Sequence, residues 1–288
     1  MTRKKALIAL GIAAALLIGL CLALSLRPGG VAAGRRIGVV EVRGFLADPQ
    51  SAVDALRDLR KDEGIKAVVV RVESPGGLVA PSQEIHDELA RTAAVKPVVV
   101  SMGVVAASGG YYLAAPATRI VADPGTATGS IGVILKFDEV HGLLDKLGVR
   151  TGVVKSGAMK DAGSPFRPMS TQEKAVFQGL VDDIFAQFVD AVARGRKMDR
   201  ERVLALADGR VYSGRQAQKL GLVDELGGFW DAVARAQTLA GLSGEPELDY
   251  RGKKSGGLLR LILGEDSDAL APLHSVSAGP LRLEVPGW

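Results

Sequence analysis

The stretch Lys66–Glu73, KAVVVRVE, is apolar from Ala67 to Val72 but for Arg71, and mostly β-branched. A strand with one wet face alternates apolar and polar residues, so a run with little alternation belongs to a strand covered on both faces. Two covered faces require helices above and below a sheet, and helical crossovers make neighbouring strands parallel. Pro97–Met102, PVVVSM, repeats the signature. Around these two runs the pattern alternates. Ile37–Val42, Arg119–Ala122, Ser130–Leu135 and Thr151–Val154 read as strands. Ser51–Lys61, Pro81–Ala94, Ala107–Ala114 and Val140–Leu147 read as helices. The alternation predicts an α/β domain with a mostly parallel sheet.

Further along, Ser170-Thr171-Gln172-Glu173 has the form of a capping box. The helix it opens runs to about Arg194, with Phe177, Val181, Ile184, Phe188 and Val192 on one face. That face suits either the core or a subunit contact, core being the default. Arg200–Ala207, Gln216–Leu220 and Trp230–Leu239 are further helices, and patterning weakens in the last 35 residues.

Ahead of the domain, Ala6–Leu26 is 21 residues without a charge. A helix of that length spans roughly 30 Å, the thickness of a hydrocarbon core. A removable signal peptide is the competing reading, with Val31-Ala32-Ala33 as its site, but its apolar core should be only about 7–15 residues long. The expectation is a retained single membrane span. The division that follows is 1–5 basic terminus, 6–26 transmembrane anchor, 27–36 linker, 37–240 α/β domain and 241–288 an extension of open role. The formal charge of +4 is misleading. Arg3, Lys4, Lys5, Arg27, Arg35 and Arg36 flank the apolar run with no acid among them, so the rest is net negative and charge gives no argument for nucleic acid. Three of these cations precede the run and three follow it, which leaves its orientation open. A single cysteine, Cys21, excludes a disulfide framework and a Cys-rich zinc site.

Three segments carry candidate chemistry. Ser74-Pro75-Gly76-Gly77 follows a buried strand; it is either a plain turn or a turn that aims a backbone N–H outward. In Ala106-Ala107-Ser108-Gly109-Gly110-Tyr111, Ser108 stands at a helix start. It is either an N-cap or a nucleophile whose oxyanion the N–H groups of the two glycines would favour. The G-x-S-x-G form is absent, because Ala106 stands where its first glycine would be. The third segment is Lys155–Phe166. A serine nucleophile needs a base, and neither His86, His141 nor His274 has a setting that suggests one. A neutral lysine would serve, provided burial lowers it several units from about 10.4. Lys160 has small and apolar neighbours, although Asp161 argues against it unless it points elsewhere.

Together, SPGG after a strand, AASGGYY, ATGSIGV, SG-x-x-KD-x-GSPFR and the later GRVYSGRQAQKLGLVDELGG resemble the signal peptide peptidase A family. The likeness runs from about Ile37 to Leu239. It implies a crotonase-like, Clp-protease-like fold and a serine endopeptidase with a Ser/Lys dyad. Position by position it implies Ser108 as nucleophile, Lys160 as base with Lys155 a near decoy, Ser130 as the serine that orients the base, and the N–H groups of Gly77 and Gly109 as the oxyanion hole. It implies no cofactor and no metal. Expected partners are peptides, above all cleaved signal peptides, the membrane, and further copies in a ring whose sites take Ser and Lys from neighbouring protomers. It places the domain outside the cytoplasmic membrane. Backbone donors at glycines also favour extended, apolar peptides. A non-catalytic membrane scaffold or peptide-binding protein on the same fold is the alternative, but such a protein needs no serine and lysine together. An acyl-CoA hydratase of similar fold would leave the anchor unexplained.

Overall fold

The computed structural model describes residues 36–252 and the backbone of 282–284. The apolar run Ala6–Leu26 lies outside the described residues, among which no helix is long and apolar enough to cross a membrane.

Both valine-rich runs become central strands. β1 (Arg36–Arg43), β2 (Ile65–Ser74) and β4 (Val98–Ala107) lie side by side, parallel, with β9 (Glu247–Arg251) beyond β1. Side-chain parity divides the core. Val40, Val68, Val70, Val98 and Val100 face one layer, built by α1 (Gln50–Lys61), α2 (Val79–Ala93), α3 (Gly109–Ala114) and the later half of α5 (Thr171–Arg196). Ile37, Val69, Val99 and Val121 face the other, where Ala232, Val233 and Ala236 of α8 (Phe229–Leu239) cover them. That double cover is why the runs lack alternation.

β4 then forks, and the fork makes the site. Its first half pairs with β5 (Arg119–Ala122), which pairs in turn with β8 (Glu225–Leu226). Its second half pairs with β6 (Ala127–Gly129), which carries β7 (Val211–Ser213) antiparallel. A short strand, β3 (Gly76–Leu78), stands off the main sheet and pairs antiparallel with β10 (Arg282–Glu284).

Two expected strands do not form. Ser130–Leu135 is largely irregular, because the strand closes one residue earlier at Gly129, whose positive φ of 79° turns the chain. Thr151–Val154 is irregular and exposed, with no ladder partner. Both lie on an arm between β6 and α5 that includes α4 (His141–Lys146). α5 resolves its own ambiguity by halves. Ile184, Phe188 and Val192 are buried, whereas Phe177 is half-buried and Val176 and Leu180 are exposed. The remaining helices, α6 (Arg200–Leu204) and α7 (Gly214–Leu220), pack near the sheet's end.

Candidate active site

Ser108 is the residue at which β4 ends and α3 begins. Its backbone sits at φ 52°, ψ −117°, a region non-glycine residues avoid. The turn is held from both sides. Ser108 N–H donates to the Gly129 carbonyl at 2.8 Å, and its own carbonyl accepts from Tyr111 and Tyr112 N–H at 2.9 and 2.8 Å. α3 is fixed by aromatic packing. Tyr111 is fully buried and its hydroxyl donates to the Leu222 carbonyl, while the Tyr112 ring lies 4.9 Å from Phe188. A strained serine between strand and helix is the geometry of a nucleophile elbow, reached here with Ala106 in place of glycine.

The N-cap reading does not hold, since the Ser108 side chain makes no capping bond. Its Oγ is buried and has no hydrogen-bond partner. The hydroxyl is therefore not committed to any protein group.

The SPGG turn meets this elbow. Gly76 has φ 110°, and the Ser74 hydroxyl accepts from its N–H at 3.1 Å. A Cβ on Gly109 would stand 3.3 Å from Gly77 N, so the two expected oxyanion donors are neighbours. A Cβ on Gly77 would lie 2.4 Å from the backbone N and O of Leu46, and one on Gly110 would lie 2.8 Å from the Ser74 carbonyl. These glycines are required by close approach of backbone to backbone.

Ser130 arrives through the fork. Ala107 pairs with Gly129, so Ser108 and Ser130 are the residues that directly follow the ends of the adjacent strands β4 and β6. Ser130 is buried, has φ 50°, and lines a cavity of about 410 Å³ with Ile134, Phe185 and Asp208.

Lys160 makes no hydrogen bond to the Ser108 hydroxyl. It lies exposed in a turn of the arm, its N–H donating to the Gly157 carbonyl at 3.1 Å. Its neighbours are committed elsewhere. Lys155 pairs with Asp161 and donates to the Ala158 carbonyl at 3.0 Å. Arg167 holds Asp161 at 3.1 Å and also grips Glu173. Hydrogen bonds from Arg167, then from Lys155, keep the Asp161 carboxyl well below its ordinary range, at about 2. Asp161 is thus engaged by Arg167 and Lys155. His86 serves packing: burial lowers its imidazole pKa, and the ring lies 5.0 Å from that of Tyr112, tilted by 56°.

Sequence reasoning missed Leu46, which braces Gly77, and Ser82, whose hydroxyl donates to the Leu78 carbonyl at 2.8 Å and stands 2.5 Å from where a Gly109 Cβ would be. Their only sequence signal is proximity to glycines that lack side chains.

The profile of Peptidase family S49 matches residues 90–243, which spans the elbow, Ser130 and the arm. The chain belongs to peptidase family S49. It is a serine-type peptidase of the signal peptide peptidase A group. It is 42% identical over 236 residues to a putative protease of Synechocystis, covering 81% of this chain and 84% of the relative. It is 37% identical to a putative signal peptide peptidase SppA of Enterococcus faecium, covering 78% and 70% of the two chains. Among solved structures, a mutant of the 1510-N membrane-bound stomatin-specific protease overlays with a TM-score of 0.50 at 13% identity, over 76% of this chain and 98% of that one. That likeness concerns the α/β fold alone.

Proposed function

We propose that the chain is a membrane-anchored endopeptidase in which Ser108 attacks and Lys160 of a neighbouring copy is the base, acting on remnant signal peptides. The observation that carries this reading is Ser108, strained in its backbone, with a buried hydroxyl bonded to no protein group, directly before Gly109, whose Cβ position lies 3.3 Å from Gly77 N. Lys160 is exposed on an arm with apolar residues turned to solvent, among them Leu143, Leu147, Val149, Val153 and Val154. An apolar surface of that kind marks a protein contact. A lysine acts as a base only where it is shielded from water, which packing of the arm against a second copy supplies.

The chemistry follows. Ser108 Oγ attacks the scissile carbonyl and passes its proton to Lys160 Nζ. The N–H groups of Gly77 and Gly109 stabilise the oxyanion. The C–N bond breaks as the leaving amine takes the proton from Lys160. Water, deprotonated by the same lysine, then releases the acyl group and restores Ser108. Ser130 orients the lysine. The uncharged run Ala6–Leu26 supports anchoring, with the domain outside the cytoplasmic membrane, and membrane proximity favours apolar, extended peptides of the kind left by signal peptide removal.

The test is fluorophosphonate labelling with the modified residue located by mass spectrometry. Label should fall on Ser108 and slow strongly in Lys160→Ala. Label on another residue, or equal labelling in Lys160→Ala, refutes the dyad.

A further inference from the structure

Where β5 begins, at the opposite end of the sheet from Ser108, a cavity of about 520 Å³ is lined by residues of β5, α2 and the last turn of α5. Arg119 pairs with Val99, eight residues before the end of β4 at Ala107, which is roughly 26 Å along the strand. Four cations line the cavity, Arg119, Arg194, Arg196 and Lys197, and one acid, Asp224. Asp224 is already committed. One of its oxygens accepts from Ile120 N–H at 2.7 Å, and the other stands 2.7 Å from an Arg196 Nη. Among the described residues, Arg119, Arg194 and Lys197 have no carboxylate partner. The Arg196 side chain is only 6% exposed, and its buried Nε–H has no hydrogen-bond partner. A guanidinium is a planar fork of five donors, and burying it with a donor idle carries a cost that a further acceptor removes.

Cations in the last turn of a helix complement its dipole, and that accounts for Arg194 and Lys197. It does not account for Arg119, which comes from β5, or for the burial of Arg196. The helix-end carbonyls that would repel an anion are engaged, with Met198 N–H donating to the Ala193 carbonyl at 3.0 Å. We infer that this cavity binds a phosphate monoester, its oxygens accepting from Arg119, Arg194, Arg196 and Lys197. Such a group carries about −1.5 to −2 charge at neutral pH and three acceptor oxygens, which suits an excess of cations better than a single carboxylate does. A cavity of this volume takes a small molecule rather than a bare ion, and Ala90, Ala93 and Ala117 give the esterified group an apolar wall. That group belongs either to a soluble ester or to a lipid. β1 and β5 start at the same end of the parallel sheet, so the cavity lies at the end where the chain enters at Arg36. Occupancy of the cavity is independent of peptide cleavage.

The full chain in dodecyl maltoside, a detergent without phosphate, tests the site by melting followed through intrinsic fluorescence. Inorganic phosphate should raise the melting temperature in a saturable manner at roughly millimolar concentration, above sodium chloride of equal ionic strength. Arg194→Gln and Lys197→Gln, both at exposed positions, should each weaken the apparent affinity roughly three- to tenfold. Arg196→Lys, which keeps the charge and removes the fork, should weaken it at least about tenfold. Should Arg196→Lys fail to fold, the two exposed variants decide. Arg57→Gln changes an exposed cation of α1 outside the cavity and should bind phosphate as the wild type does. No saturable gain over chloride, or an equal loss in Arg57→Gln, overturns the site. Glycerol 3-phosphate and dioctanoylphosphatidate carry the same head group without and with acyl chains. Tighter binding of the first marks a soluble ester as the occupant, and tighter binding of the second a lipid head group, each weakened in Arg194→Gln. Binding of inorganic phosphate with neither ester bound overturns the monoester assignment.

Discussion

On the proposed reading, function and stability oppose each other at the Ser108 hydroxyl. A buried hydroxyl with no partner costs about 1–3 kcal/mol, and the strained backbone around it costs a similar amount. Ser108→Ala removes the first cost without touching the main-chain bonds that hold the turn. The variant should therefore unfold at a higher temperature by calorimetry, by about 1 kcal/mol of stability, while peptidase activity falls by several orders of magnitude. A lower melting temperature would mean that the hydroxyl has a stabilising partner. Gly77→Ala should behave in the opposite sense. Its Cβ would meet the Leu46 main chain at 2.4 Å, and backbone cannot yield as a flexible side chain does. The expected loss is on the order of 2–3 kcal/mol, with activity lost as well, measurable by denaturant titration and peptide cleavage. Gly77→Ala at wild-type stability would show that β3 moves freely. Neither property is legible in sequence. A serine before two glycines is a common helix start, and only the coordinates reveal its φ and its empty hydrogen-bond shell.

At the scale of elements, legibility followed burial. β2 and β4 could be read because both faces are covered, and that leaves an unmistakable composition. α5 could be read because a capping box and an apolar stripe coincide, with the Ser170 hydroxyl accepting from Glu173 N–H. The arm misled: Thr151–Val154 is β-branched enough for a strand, yet β-branching reports a pleated, packed surface and the single chain provides none there. β10 had a faint signal in the alternation Leu281, Arg282, Leu283, Glu284, Val285, too short to stand alone. The arm's own order comes from Arg167, which joins Asp161 to Glu173. Hydrogen bonds, first from Arg167, hold both carboxyls down to about 2. Because the folded values are depressed, their contribution is present above the ordinary carboxylate range near 4 and is lost as pH falls from there through about 2. Pepsin should thus leave residues 155–170 intact near pH 4 and cut them increasingly toward pH 2. Arg167→Ala should be cut at the higher pH already, and should lower activity about tenfold through a less well-placed Lys160. Equal cutting of both proteins at pH 4 would mean that other contacts order the arm.

At the scale of the whole molecule, the proposed dyad requires a second copy of the chain. One chain brings together Ser108, Ser130, Gly77 and Gly109 through the fork of β4 and the turn before β3, and it leaves Lys160 exposed on the arm. The described chain thus carries an acceptor half and a donor half that do not meet. Closed rings with head-to-tail contacts join such halves around a rotation axis, each site taking one half from either neighbour. Two inactive variants then form a decisive pair. Ser108→Ala retains its lysine arm, and Lys160→Ala retains its serine. Subunits mixed at equal amounts under conditions that exchange them should regain up to about a quarter of wild-type activity, the chance that an intact serine faces an intact lysine across a random head-to-tail contact. The recovered activity should appear with the rate of subunit exchange and should label only the Lys160→Ala chain with fluorophosphonate, since that chain alone offers Ser108. Separate Lys155→Ala subunits should stay active unmixed, because Lys155 is engaged with Asp161. No recovery in mixtures shown to have exchanged subunits would place serine and lysine in one chain, and would require the arm to fold back onto its own elbow.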